Sequence, residues 1–325
     1  MANNQQLKHS RSPIKVGLSS CLIGKKVRFD GGHKQDRFVT DLLDQFFSFK
    51  LVCPEVEVGM GVPRESVRLA GEPEAPRMLG TRTATDWTAR MNRYAEARVK
   101  KNDIADLSGF ILKSRSPSCG MERVKLFAKP NSVARKGVGL FARVLLTQYP
   151  DLPVEEEGRL NDPALRENFI ERVFAYHRLQ TLFSQPFKRG AMVRFHEQHK
   201  YQLMAHSPQH YRSLGQLVAR IKSVRPSAFR VEYQSGFMAA LKTKATVKKN
   251  VNVLQHIAGY LKRDISSFEK ADIQRAIDDY HQQLVPLIVP ITLLGHFINR
   301  HAVEYIQNQT YLNPHPKELM LRNHV

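Results

Sequence analysis

Cys21, Cys53 and Cys119 are the three thiols of a 325-residue chain. Thiolates are the usual protein ligands of iron–sulfur clusters, and zinc is the other metal that commonly takes them. No CxxC pair groups these cysteines, because 32 residues separate the first two and 66 the second and third. An odd count leaves at least one thiol unpaired within a monomer, which excludes a secreted disulfide framework and points to a reducing, cytoplasmic setting. Three cysteines would satisfy three irons of a cubane and leave the fourth open. Buried structural thiols, zinc and persulfide chemistry compete for the same spacing.

Polar residues close to the thiols set the rest of the candidate site. Glu55, two positions beyond Cys53, is the first choice for general acid or base. A solvated carboxylate or a turn cap is its plain alternative. Ser114, Ser116 and Ser118 precede Cys119 and either donate to cluster sulfur or substrate oxygen or make ordinary turns. Ser20, Asp30 and Gly120 are further second-tier positions beside the thiols. Asp86 reads as a cap of the helix beginning near Trp87.

These residues need elements to hold them. The apolar runs Ile14–Leu18, Phe46–Val52 and Gly109–Leu112 predict short buried strands. Each cysteine falls just past one predicted strand end, where open α/β sheets bind ligands. Arg37–Phe47 and Thr85–Asp106 have helical character between the strands, and Gly137–Leu146 reads as a glycine turn plus helix. A Pro-containing acidic stretch from Tyr149 to Pro163 reads as a linker. Beyond it, apolar residues at threes and fours predict helices over 164–184, 190–204, 208–221, 226–242, 246–263, 268–284 and 290–309. The expected architecture is an N-terminal Rossmann-like, three-layer α/β domain with a parallel sheet over residues 1–155, followed by an all-α domain over 156–325.

The formal charge of +20 favours a polyanionic partner, and it is shared between residues 1–160 (+9) and 161–325 (+11). Basic candidates for such a partner are Lys25, Lys26, Arg28, Arg64, Arg68, Lys113 and Arg115 near the cysteine motifs, with Lys242, Lys244, Lys248 and Lys249 in the second half. Eleven of 13 histidines lie after residue 160; His196, His199, His206 and His210 read as polar core or partner-facing residues rather than as a metal site. Tyr201, Tyr211, Tyr233 and Tyr260 fit base stacking or helical core. The N-terminal residues 1–13 lack the apolar segment of a signal peptide, and no run predicts a membrane span.

The segments LSSCLIGKKVRFDGG (18–32), VCPEVEVGMGVPRE (52–65) and ILKSRSPSCG (111–120) resemble the DUF523 family, which includes the iron–sulfur-dependent thiouracil desulfidases. The region from Met192 onward, notably YQLMAHSPQHYRSLGQLVA, VNVLQHIAGYLKRD and YLNPHP, resembles DUF1722. The pairing is similar to two-domain bacterial desulfidases acting on 4-thiouridine in transfer RNA. The resemblance implies a [4Fe-4S] cluster on Cys21, Cys53 and Cys119, whose open iron receives the substrate sulfur while water adds at the ring carbon, without net oxidation. It implies thiolated tRNA as partner, with a free thiouracil desulfidase as the nearest alternative. An RNA-binding module with a structural metal is the alternative from another class.

Overall fold

The computed structural model describes residues 14–129 and 132–324, without the side chains of 128, 129 and 132. The N-terminal stretch 1–13 lies outside the described residues. The chain divides after Gly158 into two compact units.

The first unit is built on two sheets. Its strands and helices are β1 (Ile14–Ser19), β2 (Phe47–Val52), α1 (Pro54–Glu57), β3 (Val67–Ala70), β4 (Arg77–Gly80), α2 (Thr88–Val99), α3 (Asn102–Ala105), β5 (Gly109–Leu112), β6 (Val124–Lys129), β7 (Ser132–Gly137), α4 (Leu140–Gln148) and β8 (Val154–Glu156). The parallel sheet has the order β2-β1-β5-β8. Central β5 is a short apolar run covered on both faces, with all four residues buried, whereas the edge strands β2 and β8 carry polar residues. Gly17 faces Phe110 across β1 and β5, and a Cβ on it would lie 2.2 Å from the Phe110 ring. The second sheet, ordered β4-β3-β6-β7, mixes parallel and antiparallel pairing. It buries Leu69, Met78, Val124 and Leu126 in a core with Met91 of α2 and Leu140 of α4.

Three sequence expectations need correction here. Residues 37–47 do not make one helix. A π turn (Phe38–Leu42) and a 3-10 turn (Leu43–Gln45) lead straight into β2, and before Phe47 only Val39 and Leu43 of that stretch are buried. The expected Thr85–Asp106 helix is two, α2 and α3, broken around Lys100 and Lys101. The acidic "linker" is structural: Val154–Glu156 pairs with β5 as the edge strand of the parallel sheet. The mixed sheet was not anticipated at all, since its strands alternate buried and charged residues over only four to six positions.

The second unit is helical, with α5 (Pro163–Phe183), α6 (Arg189–Gln198), α7 (Lys200–His206), α8 (Pro208–Ala219), α9 (Pro226–Lys242), α10 (Val247–Tyr260), α11 (Ser267–His281), α12 (Ile288–Arg300) and α13 (Glu304–Gln307). Prolines 163, 208 and 226 occupy the first helical turn, where the missing N–H costs nothing. Ser266 and Glu269 close a capping box on α11. The expected helix 190–204 is interrupted at His199, and 290–309 divides into α12 and α13. Among the described residues no helix is long and apolar enough to cross a membrane.

Candidate active site

The order β2-β1-β5 makes the geometry of the cysteines simple. Cys53 directly follows β2, Cys21 lies in the 3-10 turn Ser20–Ile23 after β1, and Cys119 ends the loop after β5. Three adjacent parallel strands thus deliver the thiols to their common carboxyl edge. All three line one cavity of about 350 Å³, a size typical of small-molecule sites.

Each thiol is fixed by its local backbone. Cys53 is the N-cap of α1 with Pro54 following it, and its N–H donates to Glu57 Oε1 at 2.9 Å. Glu57 is anchored in turn by Tyr94 (2.7 Å) and Arg98 (3.3 Å) of α2. Cys119 sits in a loop tightened by Ser116 Oγ, which accepts from the Ser118 and Cys119 N–H groups at 3.3 and 3.2 Å. The loop leaves no room at Gly120, where a Cβ would lie 2.4 Å from Val124 Cγ2 and 2.8 Å from the Ser116 carbonyl. Burial raises the pKa of all three thiols, Cys21 to about 11, with Lys113 opposing the shift at Cys21.

Glu55 forms part of the cavity wall beside the thiols. Arg64 donates to its Oε2 at 2.5 Å, and Ser118 and Ser116 hydroxyls donate to its Oε1 at 2.8 and 3.4 Å. Arg64 is only 6% exposed and also donates to the Val27 and Gly61 carbonyls. It is therefore the buried partner of Glu55, and it lines the same cavity. Arg28, Lys34, Lys113 and Arg115 surround the same cavity.

The donor set fits a cluster. Three thiols meet one cavity whose wall carries cations and hydroxyls, and the buried Nε of Arg64 has no hydrogen-bond partner among the described residues. Donors of this kind suit the sulfur atoms of an anionic iron–sulfur centre. Among the described residues no three or more His, Cys, Asp or Glu side chains are grouped to hold one metal ion. A cluster instead takes each thiolate on a different iron and spreads its ligands wider than a mononuclear site.

Residues 16–157 match the family described as 2-thiouracil desulfurase, and residues 200–316 match DUF1722, a protein family of unknown function. The chain belongs to the 2-thiouracil desulfurase family. A relative from Escherichia coli (strain K12), uncharacterized protein YbgA, is 29% identical over 158 residues, covering 48% of this chain and 94% of its own. Uncharacterized protein YbbK of Bacillus subtilis (strain 168) is 31% identical over 108 residues, 32% of this chain and 71% of that protein. A solved structure described as [4Fe-4S]-dependent thiouracil desulfidase TudS is 28% identical, with 47% of this chain and 97% of that one covered and a TM-score of 0.38.

In this 2-thiouracil desulfurase family member, the remaining sequence candidates divide. Ser20, Arg28, Lys113, Ser114, Arg115, Ser116 and Ser118 line the thiol cavity. Asp30 does not; its carboxylate accepts the Gly32 N–H at 3.0 Å and pairs with Arg28 at 3.5 Å, making a turn cap. Asp86 likewise caps the start of α2 through the Thr88 N–H at 2.9 Å. Lys25 and Lys26 are exposed outside the cavity wall. In the second unit Lys242, Lys244 and Lys248 are exposed, whereas Lys249 is half-buried and donates to the His206 carbonyl at 2.7 Å, capping α7. His199 and His206 are buried, with His199 stacked on Phe195 and His206 paired to Glu171 at 3.4 Å. Tyr201 and Tyr233 are core residues, and Tyr260 stacks on Tyr305.

Sequence reasoning missed Glu157. Its carboxylate accepts from the Ser114 N–H and hydroxyl, both at 2.7 Å, and pairs with Lys113. Neighbouring Glu156 holds the Met121 N–H at 2.7 Å, just past Cys119, and burial raises its pKa. The acidic run looked like solvated linker. The signal was Val154 beside two prolines' worth of turn, too short a pattern to identify an edge strand.

Proposed function

We propose that this protein is a [4Fe-4S]-dependent desulfidase that converts 4-thiouridine in transfer RNA to uridine and releases sulfide. The observation that carries the reading is the convergence of Cys21, Cys53 and Cys119 at one cavity, at the carboxyl edge of three adjacent strands. In this reading the three thiolates hold the cluster and leave one iron without a protein ligand. When bound, the cluster supplies a Lewis acid for the thiocarbonyl sulfur.

The chain's own residues supply the acid–base work. Water adds at the ring carbon and the C–S bond breaks, so a C=S group and water give a C=O group and hydrogen sulfide with no electrons gained or lost. Glu55 takes the proton of the attacking water and returns it as sulfide leaves. Arg64 and Ser118 hold the carboxylate in one orientation, which keeps it in reach without side-chain rearrangement. Arg28, Lys34 and Lys113 offset the negative charge that develops as the bond breaks.

Two features support RNA as the form of the substrate. The formal charge of +20 is spread over both halves, and a thiolated base inside folded RNA must leave its stack before chemistry, which calls for phosphate contacts beyond the base pocket. The test is an anaerobic reaction of cluster-loaded protein with thiolated tRNA and, separately, with free 4-thiouracil, followed by nucleoside chromatography and sulfide detection. Loss of 4-thiouridine with matching sulfide is expected. Turnover of the free base alone would restrict the activity to thiouracil.

A further inference from the structure

The mixed sheet of the first unit has one face in the core and one face that is strongly cationic. Leu69 pairs with Leu126 across β3 and β6 and both are buried. Because side chains alternate across a strand, Arg68 and Lys125 stand side by side on the opposite face. Lys125 is in turn directly opposite Arg135 on β7. Arg68, Lys125 and Arg135 are exposed, and among the described residues none of the three has a carboxylate partner. Like charges directly opposite each other weaken a sheet, and nothing in the core requires them, since each points away from it.

The same face forms a groove of about 570 Å³. Five of its ten lining residues are Arg or Lys and none is acidic; Arg123 alone of the five pairs with a carboxylate among the described residues, Glu122 at 3.7 Å, so an anion lying in the groove would relieve repulsion among the other four. Val67, Arg115 and Pro117 line both this groove and the thiol cavity, so the two adjoin along a shared wall. Phe127 lies on the groove face beneath Arg68, whose guanidinium is 5.1 Å from the ring centre. A flat guanidinium held over an aromatic ring suits a single strand, combining phosphate contact with a stacking surface.

We propose that the row Arg68–Lys125–Arg135 seats the sugar-phosphate backbone flanking the thiolated nucleotide of a single-stranded RNA segment, and so selects a polynucleotide over the free base. This rests on the desulfidase reading above and adds the path by which the strand reaches the thiol cavity.

The test uses full-length, cluster-loaded protein with Lys125→Glu and Arg135→Glu, separately and together. The probe is a fluorescein-labelled single-stranded RNA oligonucleotide carrying one 4-thiouridine, with free 4-thiouracil run in parallel. The double variant should lose about tenfold or more in kcat/KM on the oligonucleotide relative to that on the free base. The dependence of log affinity on log salt, read by fluorescence anisotropy, should become shallower by about 1.4 for two lost phosphate contacts. K125E alone should melt no lower than wild type, because it replaces a like-charge cross-strand pair by an opposite one. The uncharged pair K125Q with R135Q must move both RNA readouts in the same direction, which separates lost contact from introduced repulsion. An unchanged oligonucleotide-to-base ratio overturns the groove and leaves the desulfidase standing. Competition by 4-thiouridine monophosphate as strong as by the oligonucleotide overturns the polynucleotide claim. Absence of sulfide from both substrates with the wild-type protein overturns the desulfidase reading itself.

Discussion

The two units each contain a cavity with buried ionisable groups, and the groups are treated in opposite ways. In the second unit a cavity of about 250 Å³ is lined by Glu167, Glu171, His206, Asn250, Tyr311 and Arg322. Its charges close on one another: His206 lies 3.4 Å from Glu171, Gln202 donates to the same carboxylate at 2.7 Å, and Arg322 reaches Glu167 at 3.1 Å and the Tyr311 carbonyl at 2.7 Å. In the first unit the thiols of Cys21 and Cys119 are buried, and the Nε of Arg64 has no hydrogen-bond partner among the described residues. Paired charges of that kind hold helices in register, whereas three free thiols gathered on one cavity are arranged around something else.

Substitutions separate these roles. Replacing Cys21, Cys53 or Cys119 by Ser should each remove iron and lower sulfide release by more than the roughly 10–100-fold that outer-shell changes cost at metal sites. A variant that kept both iron and turnover would strike its cysteine from the ligand set. Glu55→Gln should preserve iron while slowing turnover about 100-fold; wild-type kcat would make the carboxylate a bystander. Breaking the second unit's network acts on folding instead. Glu171→Gln leaves His206 buried beside a neutral amide and should cost about 3 kcal/mol in denaturant unfolding, with kcat on free thiouracil unchanged.

The second unit should also lose stability in mild acid. Burial lowers His196 and His315 to about 4 and His199 to about 3, from an ordinary 6.5. These rings are neutral when folded but take up protons when unfolded below pH 6.5, so each removes stability as pH falls from 6.5 toward its folded value, by about 1.4 kcal/mol per pH unit once well below 6.5. His206 has the opposite sign: Glu171 raises its pKa, so its contribution is present below 6.5 and is lost as pH rises through the folded value. Three groups against one predict a net fall, measured as unfolding midpoints between pH 7 and 5; midpoints that rise toward pH 5 would contradict it. The smallest effect belongs to Lys249→Ala, which removes a cation from the carboxyl end of α7 and should cost about 0.5 kcal/mol.

The sequence was legible where chemistry and burial coincide. The strands leading to Cys21, Cys53 and Cys119 are short, mainly apolar runs, and α9 begins and ends at its expected residues because Pro226 starts it and buried Phe229, Tyr233 and Phe237 recur at fours. Glu55 and the serines before Cys119 were visible from their proximity to the thiols. What was hidden depends on contacts distant in sequence. Arg64 becomes a buried partner only when Glu55 folds against it, and Glu157 acts on Ser114 from 43 residues away. The mixed sheet escaped notice because its solvent face is charged, and that face is where the RNA path is proposed.

The most direct measurement is iron and acid-labile sulfide per monomer in anaerobically reconstituted wild-type protein, with zinc determined on the same sample. The account predicts about four irons and four sulfides per chain. A chain carrying one zinc, or no more than one iron with no labile sulfide, would contradict it.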